Sequence, residues 1–485
     1  MKDSQSLDAA INAFIGPVSD AISSVIFYSI KVGQVDVPLI VLWLIAAGVF
    51  FFFYLKAINI TRLKLAIDIV RGKYDDENSK GEMSHFQALA TAVSGTVGLG
   101  NIAGVAVAIT LGGPGATFWM IVAGFLGMMT KFAECTLGVK YRQVSLAGVV
   151  SGGPMYYLRD GLKARGLAGL GKVMAIGFAI MCIGGSIGGG NMFQSNQATA
   201  QLVAITGGSE SFLADNLWIS GVVMSLLVAS VIIGGIKSIA NVTEKIVPFM
   251  CGLYIVTCLY IIFAHFTKIP NTFLLIMDGA FNPDAVYGGI VGVLITGFKR
   301  ASFSNEAGVG SASIAHSAVK TNEPVTEGLV SLLEPLLDTI VICTLTAVVI
   351  VITDSYHSVG LDGVQLTAHA FSSTVSWFHY ILSAVVFLFA FSTMISWSYY
   401  GLKAWGYLFG STKTSENIYK AIFCIFVIIG SSLSMSKVID FSDAMIFAMS
   451  IFNIIGLYIM SGELKKDTQQ FLHKIDTGVI KKNLN

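Results

Sequence analysis

Residues Ser94 to Gly104 read SGTVGLGNIAG: four glycines (Gly95, Gly98, Gly100, Gly104) beside Ser94, Thr96 and Asn101, inside an apolar segment. A glycine in a helix interior costs about 1 kcal/mol relative to alanine. Two arrangements could use these residues. Gly100 and Gly104 have the spacing that lets two helices approach closely. Alternatively the backbone unwinds at Gly98–Gly100 and bares its N–H and C=O groups, which in lipid must find protein, water or ligand partners. The polar residues at the same depth favour unwinding, because packing has no use for Asn101. A helix restarting near Gly100 aims its N–H groups and positive dipole end at the gap, which suits a carboxylate. A helix ending near Ser94–Val97 leaves carbonyls that suit an ammonium group or a cation. One break therefore offers both ends that a small zwitterion needs.

The pattern S-x-x-x-G-x-G recurs 210 residues later, at Ser304-Asn305-Glu306-Ala307-Gly308-Val309-Gly310. The elements that must carry the two copies follow from composition. The 485 residues are 54% hydrophobic and 12% charged, with mean hydropathy +0.74. A soluble domain carries about 25% charged residues. The class is therefore an all-α polytopic membrane protein. Apolar runs predict about eleven membrane helices, near 37–57, 86–110, 114–140, 172–203, 216–236, 244–266, 286–315, 326–352, 376–407, 416–434 and 439–461. Segment 286–315 is the least clean, because it holds Lys299, Arg300 and Glu306.

Lys and Arg gather in alternate loops: Lys56, Arg62, Lys64, Arg71, Lys73 and Lys80; Arg142, Arg159, Lys163 and Arg165; Lys237 and Lys245; Lys403 and Lys413; Lys465 and Lys466. The opposite side has Lys2, Lys31, Lys268 and Lys437. The positive-inside rule then puts the N-terminus outside and the C-terminus in the cytoplasm. Five spans separate the two motif helices, so the second copy is inverted relative to the first. Gly-interrupted segments at matching positions of inverted halves point to a transporter's binding site.

Other polar residues have two readings. Asn191, Gln194, Ser195, Asn196 and Gln197 cluster in one span, facing either a cavity or another helix. Phe303 precedes the second break, and Trp397 lies one turn beyond Thr393; either pair of roles, pocket wall or plain core, fits. Lys299, Arg300 and Glu306 read as a salt-bridged structural or gating group rather than a substrate contact. Glu334 and Asp338, at i,i+4, share a helix face and read as partners of Lys or Arg, with a proton relay as the alternative. Lys131 and Glu134, at i,i+3, read as a local ion pair. The outer stretch 353–374 lacks Lys and Arg and reads as a short covering helix.

The segments SGTVGLGNIAGVAVAITLGGPGATFWM, SGGPMYYL, GGGNMFQSNQ, FSNEAGVGSASIAH and FSTMISWSYYG, in this order, resemble the alanine or glycine:cation symporters, the sodium:alanine symporter family. The resemblance spans about Phe86 to Gly406. It implies a LeuT-type fold with a 5+5 inverted repeat and one extra N-terminal helix. The chain then divides into 1–85 (amphipathic segment, extra helix and basic linker), 86–266 and 267–461 (the two repeats) and 462–485 (cytoplasmic tail). It implies uptake of small neutral amino acids, alanine or glycine, with sodium as the co-transported ion and no organic cofactor. The location would be a bacterial inner membrane, with the lipid bilayer as surroundings.

By the same resemblance, Thr96, Gly98, Leu99, Gly100, Asn101, Gln194, Phe303, Ser304, Asn305 and Trp397 bind substrate. Ser94, Val97, Phe389, Ser392 and Thr393 hold sodium, a hard cation suited to carbonyl and hydroxyl oxygens. Alternatives are a proton-coupled member, one preferring glutamine or D-alanine, or an amino-acid channel.

Several classes are disfavoured. Net charge +1 argues against a nucleic-acid partner. The six cysteines, Cys135, Cys182, Cys251, Cys258, Cys343 and Cys424, lie in apolar segments without CxxC spacing. No HExxH or GxxxxGK[ST] motif is present, so neither zinc hydrolysis nor nucleotide-driven pumping is indicated.

Overall fold

The computed structural model describes residues 17, 20–32, 35–75, 79–146, 148–282, 289–358 and 360–482. Lys2 and the start of the expected span at 286 lie outside the described residues. The chain is predominantly helical, with two small antiparallel ribbons among the described residues. The first ribbon, β1 (Ser29–Val32) with β2 (Val35–Pro38), leads directly into the first apolar helix and was not foreseen from the apolar pattern.

Helix α1 spans Leu39–Tyr54. Next comes α2 (His85–Thr96), started by a reciprocal cap: Ser84 Oγ accepts from Gln87 N and Gln87 Oε1 accepts from Ser84 N, each at 3.2 Å. It stops at Thr96, and a π turn at Gly100–Gly104 leads into α3 (Val105–Gly112). The two parts meet at 51°. Helix α4 is Ala116–Lys140, and α5 (Ala168–Ile187) passes through a π turn at Gly188–Met192 into α6 (Phe193–Ile205). Then follow α7 (Leu217–Ile232), α8 (Gly235–Ala264), α9 (Ile269–Phe281) and α10 (Gly289–Asn305).

A break separates α10 from the short α11 (Ala312–His316). Helix α12 (Pro324–Ser331) reaches α13 (Thr344–Ile352) through a π segment at Leu336–Cys343. The stretch read as a covering helix forms α14 (Gly363–Thr374), whose Thr367 hydroxyl donates to the Ile102 carbonyl at 3.2 Å. Last come α15 (Phe378–Phe409), α16 (Lys413–Ser432) and α17 (Met435–Asp476). Helix α17 runs well past residue 461, where the apolar run ends. Its polar extension is held by Glu463 and Asp467, which take Lys140, Arg165 and Tyr141.

Seven helices among the described residues are long and apolar enough to cross a membrane, and the bent pair around Gly98 makes an eighth. The core runs through the whole bundle: α4 packs against α1, α10 and α12, and α15 packs against α2, α5 and α6. Glycine permits the closest approaches. A Cβ at Gly190 would collide with the Trp397 indole, and one at Gly98 with the Thr393 hydroxyl.

Candidate functional site

The unwinding expected at Gly98–Gly100 is present. Val97 leaves the helical region (φ −75°, ψ 87°), and the polypeptide resumes helical geometry from Leu99. The freed backbone groups are satisfied by side chains, as burial requires. Gly98 N donates to Asn101 Oδ1 at 2.9 Å, and Leu99 N donates to Gln194 Oε1 at 3.0 Å. Gln194 Nε2 in turn donates to the Gly189 carbonyl at 2.9 Å. Two turns of α15 meet the end of α2. Thr393 Oγ1 donates to the Ser94 carbonyl at 2.9 Å, and Ser94 Oγ donates to the Ser392 carbonyl at 2.7 Å. Ser392 Oγ reaches the Phe389 carbonyl at 3.1 Å, and Ser396 Oγ donates to Ser94 Oγ at 3.0 Å. Ser94, Val97, Phe389, Ser392 and Thr393 are all buried there. Oxygen donors thus converge between two helices 300 residues apart in sequence.

Beside this convergence lies a small cavity of about 10 Å³, lined only by buried residues. Of the residues expected to bind substrate, Thr96, Gly100, Gln194, Phe303, Ser304 and Trp397 line it. Gly98, Leu99, Asn101 and Asn305 do not. Asn101 lies behind the wall, its Nδ2 2.6 Å from Asp338 Oδ1. Asn305 turns away, donating from Nδ2 to Thr339 Oγ1 at 2.9 Å and accepting from Ala307 N at 2.9 Å. Gly95, Gly189, Glu306, Thr393 and Ile446 complete the lining.

Glu306 is the consequential addition. It accepts from Trp397 Nε1 at 2.9 Å and from the Ser311 hydroxyl. Its backbone sits in the left-handed region (φ 56°), as do Gly308 (φ 87°) and Gly310 (φ 93°). The motif therefore breaks its second helix too. A carboxylate set between the serine and glycines of that motif was the available signal for a cavity position.

The charged residues are salt-bridged as expected at Lys299, Arg300 and Glu334, but several partners differ from the expected ones. Lys131 does not pair with Glu134. Its Nζ lies 3.3 Å from Glu334, while Glu134 accepts from Asn453 Nδ2 at 2.7 Å. Lys299 and Arg300 do not share a group with Glu306; both pair with Asp443 on α17, Lys299 at 3.1 Å. Glu334 and Asp338 part company: Glu334 meets Lys131 and His316, whereas Asp338 accepts from Asn101 and from Ser304 Oγ, at 3.0 Å for the latter. The polar cluster on α5–α6 divides likewise. Gln194 serves the break, while Asn191, Ser195 and Asn196 donate to α16 and its end at Phe423, Val427 and Leu433.

Apolar helices broken around a buried polar cavity define a multi-pass membrane transporter. More particularly, the chain belongs to the sodium:alanine symporter family, whose model matches residues 21–484. It is 41% identical over 438 residues to the sodium/alanine symporter AgcS of Methanococcus maripaludis, covering 90% of this chain and 94% of that one. It is 35% identical over 425 residues to the "Probable sodium/glutamine symporter GlnT" of Bacillus subtilis, covering 87% and 85%. Among solved structures, that of MhsT in complex with L-phenylalanine aligns with a TM-score of 0.52 at 17% identity, over 79% of this chain and 89% of that one. That likeness shows the fold, which is LeuT-like as the motifs implied. The family and its relatives are transporters, not enzymes.

Proposed function

We propose that this protein is a secondary symporter coupling inward sodium movement to uptake of small neutral amino acids, alanine and glycine foremost, by alternating access. The observation carrying this reading is the meeting of α2 and α15 at the first break, where the Ser94 carbonyl and the Thr393 hydroxyl stand 2.9 Å apart beside a buried cavity. Sodium would sit among the oxygens of Ser94, Val97, Phe389, Ser392 and Thr393. The substrate carboxylate would take the helix start at Gly100, where the dipole end is positive. Its side chain would face Phe303 and Trp397. Asp338, with Asn101 and Ser304, supplies an anionic oxygen cluster behind the cavity toward which a positive group is drawn.

The helices are read as eleven spans: α1, then five from α2 to α8, then five from α10 to α17, with α9 and α14 between spans. Basic loops meet at one end: Arg142 with the backbone of Lys80 and Thr321, Arg62 with Asp476, and Lys474 with Glu323. That end is read as cytoplasmic and the N-terminus as external, in a bacterial inner membrane. The two repeats would rock about the midplane, and sodium and substrate would raise each other's affinity by the same factor.

Purified protein in liposomes should accumulate labelled alanine only under an inward sodium gradient. Accumulation that ignores sodium and follows a pH gradient would reassign the coupling ion. Unsaturable, uncoupled flux would make it a channel. Glutamine or D-alanine outcompeting L-alanine would narrow the substrate class.

A further inference from the structure

At the end of α1 lies a recess of about 350 Å³, apart from the broken helices. One side is the last turn of α1 and the chain beyond it, with Tyr54, Lys56 and Arg62. The other is the polar extension of α17, with Lys465 and Gln469 one turn apart on one face. Next to the recess the two helices pack through Trp43, Phe50 and Phe51 against Tyr458. The recess opens where both apolar runs stop. Leu42, Ala46, Val49 and Phe53 make an exposed stripe at helical spacing along α1, and Phe53 at its end is 72% exposed. In a membrane protein such a stripe faces acyl chains, so its end marks the level of the phospholipid headgroups.

Scattered basic residues at this end of the molecule need no ligand. The recess differs because its positive charge is left over. The carboxylates around it are already engaged. Asp476 takes Arg62 through both oxygens, at 2.7 Å each. Glu463 and Asp467 turn to Lys140 and Arg165. Among the described residues, Lys56 and Lys465 have no ion-pair partner. Lys465 is nevertheless held in place: its Nζ stands 4.3 Å from the centre of the Tyr54 ring, which stacks on Phe50. Lys56 is held by strained backbone. Helix α1 ends in a Schellman turn, with Lys56 N donating to the Phe53 carbonyl at 3.1 Å and Ala57 N to the Phe52 carbonyl at 2.9 Å. Lys56 takes its left-handed position (φ 58°), which glycine ordinarily fills, and lines the recess from there.

We propose that this recess binds the headgroup of an anionic phospholipid, between α1 and α17, from the leaflet at the basic end. A phosphodiester brings one negative charge and two unesterified oxygens, which accept from ammonium groups and from the Gln469 amide. Lys56 and Lys465 flank it from the two helices. The acyl chains follow the apolar stripe of α1 past Phe53. Basic pockets between membrane helices suit such lipids, and each nearby lysine adds attraction. A zwitterionic phospholipid fits less well, because its own ammonium group opposes the two lysines. Free phosphate has the oxygens but no chains for the stripe. The inference rests on the membrane placement of the apolar helices and is independent of which amino acid or ion is carried.

The test uses purified full-length protein in detergent micelles, titrated with dioleoylphosphatidylglycerol or with its zwitterionic counterpart, dioleoylphosphatidylcholine. Bound lipid is counted by native mass spectrometry, and the unfolding midpoint is followed in parallel. Phosphatidylglycerol should raise the midpoint saturably and stay bound at about one per protein, whereas phosphatidylcholine should do neither. Lys56→Gly with Lys465→Gln removes both charges, and glycine suits the left-handed backbone. This variant should unfold no earlier than the unaltered protein without lipid, yet bind phosphatidylglycerol on the order of tenfold more weakly. Lys64→Gln with Lys466→Gln removes the same charge from exposed positions outside the recess and should bind the lipid as the unaltered protein does. Equal weakening in the two double variants would overturn the inference in favour of general surface attraction. Unchanged binding in Lys56→Gly with Lys465→Gln would remove the recess as the place. Equal stabilisation by phosphatidylcholine, or by inorganic phosphate alone, would overturn the assignment to an anionic lipid.

Discussion

The two copies of S-x-x-x-G-x-G break their helices by different chemistry. At the first, the groups that cap the bared backbone are uncharged: Asn101 caps Gly98, Gln194 caps Leu99, and no ionisable side chain lies between Ser94 and Gly104. At the second, the chain turns through left-handed backbone at Glu306, Gly308 and Gly310, and a carboxylate stands in the gap. A site assembled from one of each has fixed dipoles on one wall and a titratable charge on the other. The dipolar wall is preorganised and costs nothing to charge. Two copies of one motif thus supply similar breaks with different electrostatics, which suits the proposed carrier of a zwitterion plus an ion.

The sharpest attack on the dipolar wall is Asn101→Leu. It removes the acceptor of Gly98 N and the donor to Asp338 together, leaving buried groups unpaired at roughly 1–3 kcal/mol each. Alanine uptake should vanish while the protein still reaches the membrane. Near-normal uptake would mean that the Gly98 turn holds without its side-chain cap. The next effect is on the ion. Ser392→Ala with Thr393→Ala deletes two hydroxyls at the α2–α15 contact. At about 1 kcal/mol per lost interaction, the sodium half-saturation for uptake should rise on the order of tenfold or more. An unchanged sodium curve would move the ion elsewhere.

The first wall was legible in the sequence because the residues that open the break lie within eleven positions, although its Gln194 and Thr393 partners come from other helices. Gly98, Gly100 and Asn101 announce a break by composition alone, and Ser392 with Thr393 followed from the motif. The acidic wall was less legible. Glu306 was visible as a charge in an apolar run, but its partners, Trp397 and Ser311, come from another helix and from across the turn. Helical spacing put Lys131 with Glu134 and Glu334 with Asp338. Local period describes which residues share a face, not what that face meets. A buried Lys takes whichever carboxylate the tertiary packing presents, here Glu334 just past α12. The long polar end of α17 was missed for a related reason: apolarity marks where a helix is in lipid, while Glu463 and Asp467 keep it helical beyond.

A smaller, structural difference between the walls can be read from stability. Gly310→Ala places a Cβ on left-handed backbone and 2.8 Å from Pro154 Cγ. About 1–3 kcal/mol of strain should follow, seen as a lower unfolding midpoint in detergent. An unchanged midpoint would show that the second break tolerates a side chain and is set by Glu306 and its hydrogen bonds alone.

Gly104→Ala should do least, and for that reason it separates the two explanations of the first motif. Gly104 has ordinary helical backbone (φ −65°, ψ −36°), and a Cβ there would meet nothing within 4 Å. Close helix packing through Gly100 and Gly104 therefore does not describe this conformation. Only Gly100 of the two faces a neighbour, Ser304, at 3.4 Å. Alanine at 104 should leave uptake intact and raise stability by up to about 1 kcal/mol, through the reduced freedom of the unfolded chain. If uptake falls while the unfolding midpoint rises, some other conformation in the cycle brings a helix against Gly104. The glycine would then belong to the movement of the first wall rather than to its shape at rest.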